Sequence, residues 1–128
     1  MVKKVLVINE TQAASVIPEL LANAGYEITE TFDAETGSDQ LHAHGYDLAV
    51  MLEDPVAESW LPCGRIRNAT DAPIIIISSG ASTETCVMAI NAGADFFIRK
   101  PFGPMELMAR INALWQRVPS RQPAPLVS

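Results

Sequence analysis

Three short runs made almost wholly of aliphatic residues punctuate the chain: Val5-Leu6-Val7-Ile8, Leu48-Ala49-Val50-Met51-Leu52 and Ile74-Ile75-Ile76-Ile77. None alternates with polar residues, which is the condition of strands covered on both faces, as in a parallel sheet between helices. Two weaker runs, 27–31 and 96–99, complete five predicted strands. Helical spacings lie between them, clearest where Leu107, Ile111, Leu114 and Trp115 fall at i, i+4, i+7 and i+8. Gly103 and Pro104 open that helix, the proline at a first-turn position where its missing N–H costs nothing. Strand then helix, five times over, predicts an α/β fold: a flavodoxin-like doubly wound five-stranded parallel sheet, order 2-1-3-4-5, with helices on both faces.

Two segments resist this pattern. Pro18 falls inside the helical stretch 12–24, where an interior proline costs about 3 kcal/mol. The first helix therefore either kinks or begins late, near Ile17. The second, 34–44, contains Gly37 and a thin apolar stripe through Ala34, Leu41 and Ala43. Pro119, Pro123 and Pro125 then fall among small and polar residues. Residues 1–117 thus read as one domain and 118–128 as a Pro-rich tail or linker, one that can lead to an output domain beyond this chain. No internal repeat is present.

Composition narrows the function classes. At 128 residues and 48% hydrophobic the chain suits one folded domain. Fifteen acidic against nine basic side chains leave a net charge of −6, which argues against nucleic acid or an anionic membrane as partner and for proteins or cations. No apolar run approaches the roughly 20 residues of a membrane span, and no secretory cleavage pattern follows Met1, so a cytoplasmic location is expected. Cys63 and Cys86 are far apart and form no C-x-x-C pair. They read as reduced, mostly buried thiols rather than a disulfide or a zinc site.

Ligands of such a sheet bind outside the carboxyl ends of its strands. There the sequence offers Asn9 and Glu10 after strand 1, Leu52, Glu53 and Asp54 after strand 3, Ser78 and Ser79 after strand 4, and Lys100 and Pro101 after strand 5. Singly, each is an ordinary strand end or helix cap. Together they bring an amide, carboxylates, hydroxyls and one ammonium to one rim. His42 and His44, two apart, face different sides of a helix and read as solvated rather than as a metal pair. Cys63 and Trp60 lie near the loop after strand 3 with no base at useful spacing, so no nucleophilic thiol is expected. No G-x-G-x-x-G follows strand 1, and a dinucleotide cofactor is not expected.

The stretch Gly93-Ala94-Asp95-Phe96-Phe97-Ile98-Arg99-Lys100-Pro101-Phe102 resembles the fifth-strand signature of response-regulator receiver domains. The runs 3–8, 46–51 and 72–78 are similar to strands 1, 3 and 4 of that family, and the likeness extends from about Lys3 to Arg117. It implies a carboxylate pair that holds Mg²⁺ after strand 1 and an Asp ending strand 3 that takes a phosphoryl group. It also implies a readout through Ser/Thr and Lys, and an aromatic on strand 5 whose rotamer reshapes the face of helix 4, strand 5 and helix 5. Carried over, Ser78 matches the switch hydroxyl, Lys100 the phosphate-binding lysine, and Pro101 the proline after it, where a cis Lys100–Pro101 peptide is implied. Phe97 matches the switch aromatic, with an ordinary core aromatic as the alternative.

Other positions depart. Asn9 and Glu10 stand where two carboxylates are expected, and Leu52 where the phosphoacceptor Asp should be. Leucine has no lone pair for aspartyl-phosphate chemistry. Mg²⁺ demands near-octahedral oxygen coordination, so with Glu10 as the only residual ligand candidate its binding is expected to be weak or absent, and no other cofactor is implied. Lys100 is expected to pair with Glu10, or with Glu53 if its loop bends inward. Glu53 should leave the strand aimed away from Leu52.

The expected function is therefore not an enzyme but a pseudo-receiver: a phosphorylation-independent regulatory module of two-component signalling. It would act through a protein partner or a homodimer on helix 4, strand 5 and helix 5, where Glu84, Arg99, Glu106, Arg110 and Arg117 supply complementary charges. Two alternatives stand beside it: a phosphoacceptor domain that uses Glu53 or Asp54, and a sensor of a small ligand in the vacated acidic pocket. A further form has Glu53 imitating a phosphorylated Asp.

Overall fold

The computed structural model of the chain describes residues 2–11, 13–53, 60–79, 83–100 and 103–117, without the side chains of residues 60–62, 79, 85, 100 and 117. Five strands alternate with five helices: β1 (Lys4–Asn9), α1 (Ile17–Asn23), β2 (Glu27–Thr31), α2 (Ala34–Ala43), β3 (Leu48–Glu53), α3 (Trp60–Ala69), β4 (Ile74–Ser79), α4 (Thr83–Asn91), β5 (Phe96–Lys100) and α5 (Pro104–Arg117). All four strand pairings are parallel, and the order is β2-β1-β3-β4-β5. The fold class read from the aliphatic runs is the one observed.

Period-two alternation sorts each central strand between two cores. Val5, Val7, Leu48, Val50, Leu52, Ile75 and Ile77 pack with Ile17 and Leu21 of α1 and with Leu107, Ile111 and Leu114 of α5. Leu6, Ile8, Ala49, Met51, Ile74 and Ile76 pack on the other face with α2, α3 and α4, through Leu41, Ile66 and Ala89 among others. Both faces are covered, and that is why the strands carry no polar alternation.

Several local expectations are corrected. Of the described residues 13–24 only Ile17–Asn23 are helical, with Pro18 in the first turn where it is harmless, so the late start holds and the kink does not arise. In α2, Ala34 and Leu41 are buried but Ala43 is exposed, and the stripe is completed by Gly37 and Ser38. Gly37 is there for contact: a Cβ at this position would lie 2.6 Å from Ile8 Cδ1. The strands also run further than their aliphatic runs, since the parallel ladder carries β3 to Glu53, β4 to Ser79 and β5 to Lys100. Of the two thiols, Cys63 is buried whereas Cys86 is half-exposed.

Away from the carboxyl edge, Arg67 of α3 donates to the carbonyls of Gly93, Thr70 and Ala72 and sits 3.5 Å from the Asp95 carboxylate. It ties α3 to both ends of the α4–β5 turn. Trp115, in the last turn of α5, donates its indole N–H to the Tyr26 hydroxyl at 2.9 Å, while the Lys3 ammonium lies 4.7 Å from its ring. No described helix is long and apolar enough to cross a membrane.

Gly37→Ala tests the α2–β1 contact. Helix propensity alone would favour alanine by about 1 kcal/mol, but overpacking against Ile8 should cost about 1–3 kcal/mol. A lower urea midpoint at unchanged m-value is expected; a raised midpoint would refute the close contact.

Candidate functional site

The register brings the carboxyl ends of β1, β3 and β4 together: Asn9 lies opposite Leu52, Leu52 opposite Ile77, and Glu53 opposite Ser78. The Glu10 N–H donates to the Leu52 carbonyl at 2.8 Å and extends the ladder one step past β1. Every described residue chosen from sequence for this rim is thus on it. Lys100 ends β5 beside Ser79, but its side chain, like Asp54 and Pro101, lies outside the described residues, and so does its expected pairing with Glu10 or Glu53.

What these groups do differs from residue to residue. Asn9 is buried and its amide is spent within its own loop. Oδ1 accepts from the Thr11 N–H at 3.0 Å and the Thr11 hydroxyl at 2.6 Å, and Nδ2 donates to the Ala13 carbonyl at 2.9 Å. Glu10 reaches across to α2, where its Oε2 accepts from the Ala34 N–H at 2.6 Å. Asp33 caps the same helix end, accepting from the Thr36 N–H at 2.7 Å, and that bond holds the Asp33 carboxyl below its ordinary value. Two carboxylates thus meet the positive end of the α2 dipole and satisfy donors the helix itself cannot.

Leu52 is 1% exposed and belongs to the core between the sheet and the α1–α5 layer. Glu53 is 4% exposed, and its charge acts on the Cys63 thiol, a member of the opposite core. Adjacent residues of β3 are thus parted by the sheet, as the pleat requires. Burial pushes the Cys63 thiol up to about 11, with Arg67 opposing and Glu53 adding to the rise. Ser78 is buried at the end of β4.

A magnesium-type ion needs several unshared oxygens in near-octahedral array. Asn9 Oδ1 already accepts twice, Glu10 Oε2 is committed to a backbone N–H, and Leu52 offers no oxygen. Among the described residues no three His, Cys, Asp or Glu side chains gather at metal-binding distance. These residues do not fit the ion. The roles of Asn9 and Glu10 were missed in the sequence, although Asn-x-Thr at 9–11 is an Asx-turn signal.

A second surface runs over α4, β5 and α5. Thr83, Val87 and Ile90 recur at helical spacing on one stripe of α4, with Val87 51% and Ile90 47% exposed. Arg99 of β5 donates to the Thr83 hydroxyl at 3.2 Å, which sets this stripe beside the strand. Phe96 and Phe97 are half-buried on opposite cores, and the Arg110 guanidinium lies 5.5 Å from the Phe96 ring. Glu84 and Glu106 are exposed, and the Arg117 side chain lies outside the described residues. His42 and His44 are exposed near the end of α2.

Comparison with known proteins agrees with this geometry. The response regulator receiver domain family matches residues 5–112. The response regulator ArlR of Staphylococcus aureus is 33% identical over 120 residues, which cover 92% of this chain and 55% of that protein. The chain therefore spans about half the length of the curated relatives it matches. A CheY-like receiver domain from Methanospirillum hungatei superposes with a TM-score of 0.77 at 25% identity, over 94% of this chain and 99% of that one. NtrX from Brucella abortus, solved with ATP, has a TM-score of 0.77 at 23% identity and covers all of this chain, but only 31% of its own length is matched.

Two expectations follow. Glu10→Ala should destabilise the fold by about 0.5–2 kcal/mol, the range of a lost helix cap. Thermal melts should show the same loss with and without magnesium; a magnesium-dependent gain in the parent that the variant lacks would contradict the capping role. With an alkylating agent at mildly alkaline pH, Cys86 should react first and Cys63 at least about tenfold more slowly, because the thiolate is the nucleophile. Peptide mass mapping distinguishes the two, and equal rates would contradict the raised Cys63 pKa.

Proposed function

The chain belongs to the response regulator receiver domain family, and from that premise we propose that it is a two-component regulatory module that works without aspartyl phosphorylation, through protein contacts on α4, β5 and α5. The observation that carries this reading is Leu52. It lies one residue before the end of β3, opposite Asn9 and at the position matched to the phosphoacceptor, and its side chain is part of the hydrophobic core. Phosphoryl transfer to a carboxylate needs a nucleophilic oxygen and a metal to neutralise the moving charge. Leu52 supplies no oxygen, and Asn9 and Glu10 are engaged with Thr11, Ala13 and Ala34.

In this reading the bonds of Asn9 and Glu10 hold the carboxyl edge in one arrangement, and Ser78 and Phe97 remain as packing residues rather than as a switch. Regulation then falls to the surface. Val87 and Ile90 offer apolar area, while Glu84, Arg99, Glu106 and Arg110 offer a mixed-sign rim, the composition of a patch that binds a second copy or a protein partner. The relatives' greater length supports an output segment joined to a module of this kind. Against glutamyl phosphate on Glu53 stands its burial, which keeps a donor from reaching it in line.

Incubation with acetyl phosphate and magnesium, followed by intact-mass spectrometry, should leave the chain unmodified, and a phosphoryl adduct would overturn the proposal. Sedimentation of the chain across concentration, or capture of its partner, should weaken about fivefold or more in Val87→Asp, the loss expected of a buried anchor. Arg110→Glu should alter the salt dependence of the same contact. Unchanged association in both variants would remove this face from the proposal.

A further inference from the structure

At the opposite edge of the sheet from β5, a cleft of about 440 Å³ opens between the end of β1, the loop 13–15 and the end of β2. We propose that this cleft binds an organic cation, an alkylammonium or guanidinium group, on Glu30 and Phe32. Its volume lies within the range of small-molecule and side-chain sites, about 300–1,000 Å³. Its lining is Asn9, Ala13, Ala14, Ser15, Glu30 and Phe32, and contains no basic residue.

Glu30 belongs to β2 and Phe32 is the residue just past the end of that strand; both line the cleft, while Thr31 between them is buried. Phe32 is 57% exposed, a large ring that the core leaves in water, and Glu30 is exposed beside it. Among the described residues the ion pair formed is Arg67–Asp95, far from this edge in the sheet order, so Glu30 faces the cleft without a cationic partner.

The other polar side chains of the lining are already occupied. The Asn9 amide is bonded at both ends to Thr11 and Ala13, and the Ser15 hydroxyl accepts from the Ile17 N–H at 3.1 Å. The chemistry left to a guest is one carboxylate and one aromatic ring. That pair selects a cation with some apolar surface: the carboxylate supplies the charge, and the ring quadrupole attracts the same charge. An anion would meet only repulsion, and a net charge of −6 raises the local concentration of cations further. The guest's source is either a free amine or guanidine, or a Lys or Arg side chain of a protein.

Amide NMR titration of the full chain tests this with agmatine as the free guanidine and an acetylated, amidated Gly-Arg-Gly peptide as the side-chain mimic. The matching Gly-Gln-Gly peptide is the neutral control. Both cations, or one of them, should shift the amides of Asn9, residues 13–15, Glu30 and Phe32, and the shifts should shrink with added salt. Agmatine binding without peptide binding assigns a free ligand, and equal or tighter peptide binding assigns a protein side chain.

Glu30→Gln should weaken the interaction by up to about fivefold and Phe32→Leu by about two- to fivefold, both with native dispersion of the spectrum because the two side chains are exposed. Silence with both cations, an equal response to the neutral peptide, or unchanged binding in the double variant would each overturn the proposal. The site shares no residue with the α4–β5–α5 face, so its failure leaves the proposed function standing.

Discussion

Three adjacent strands with no polar face constrain the rest of this structure. Once β1, β3 and β4 are aliphatic on both sides, the five helices must divide between two layers. Polar side chains on these strands can then survive only where the ladder ends. The parallel register does the rest, because it aligns Asn9, Leu52 and Ile77 across three strands. The candidate site is thus a consequence of sheet geometry, and its chemistry depends on which residues occupy a few fixed positions.

Two of those positions hold polar groups that are bonded elsewhere within the chain. Asn9 is neutral and closes its own loop, so it needs no counter-ion in a buried place. Glu10 keeps its charge and places it against backbone N–H and helix dipole, where a carboxylate is stabilised without a metal. Leu52 places an aliphatic side chain in the core at this edge, where an unpaired charge would be costly.

Much of the fold is legible in the amino-acid sequence, and the features that are not share a cause. Aliphatic runs and the helical spacings between them mark the elements, and their alternation implies the fold class, because each run is a property of local sequence. The Glu10–Ala34 bond joins residues 24 apart, and no local pattern predicts which of several carboxylates will turn toward a helix end. Helix propensity counts Gly37 against α2 because it sees only the missing side chain; the reason for the glycine is Ile8 on another element. The aliphatic runs stop short of the strand ends at Glu53 and Ser79, since the ladder's hydrogen bonds, unlike its apolar faces, leave no trace in side-chain type. The half-buried Phe97 was ambiguous for a related reason: a strand aromatic that packs and one that moves have the same sequence signature.

The indole of Trp115 has a mechanical meaning beyond stability. Its bond to Tyr26 and its stacking with the Lys3 ammonium fasten the last turn of α5 to the amino-terminal edge of the sheet, by the start of β2 and the approach to β1. A helix held at that end keeps the heading of its last turn fixed relative to the starts of β1 and β2.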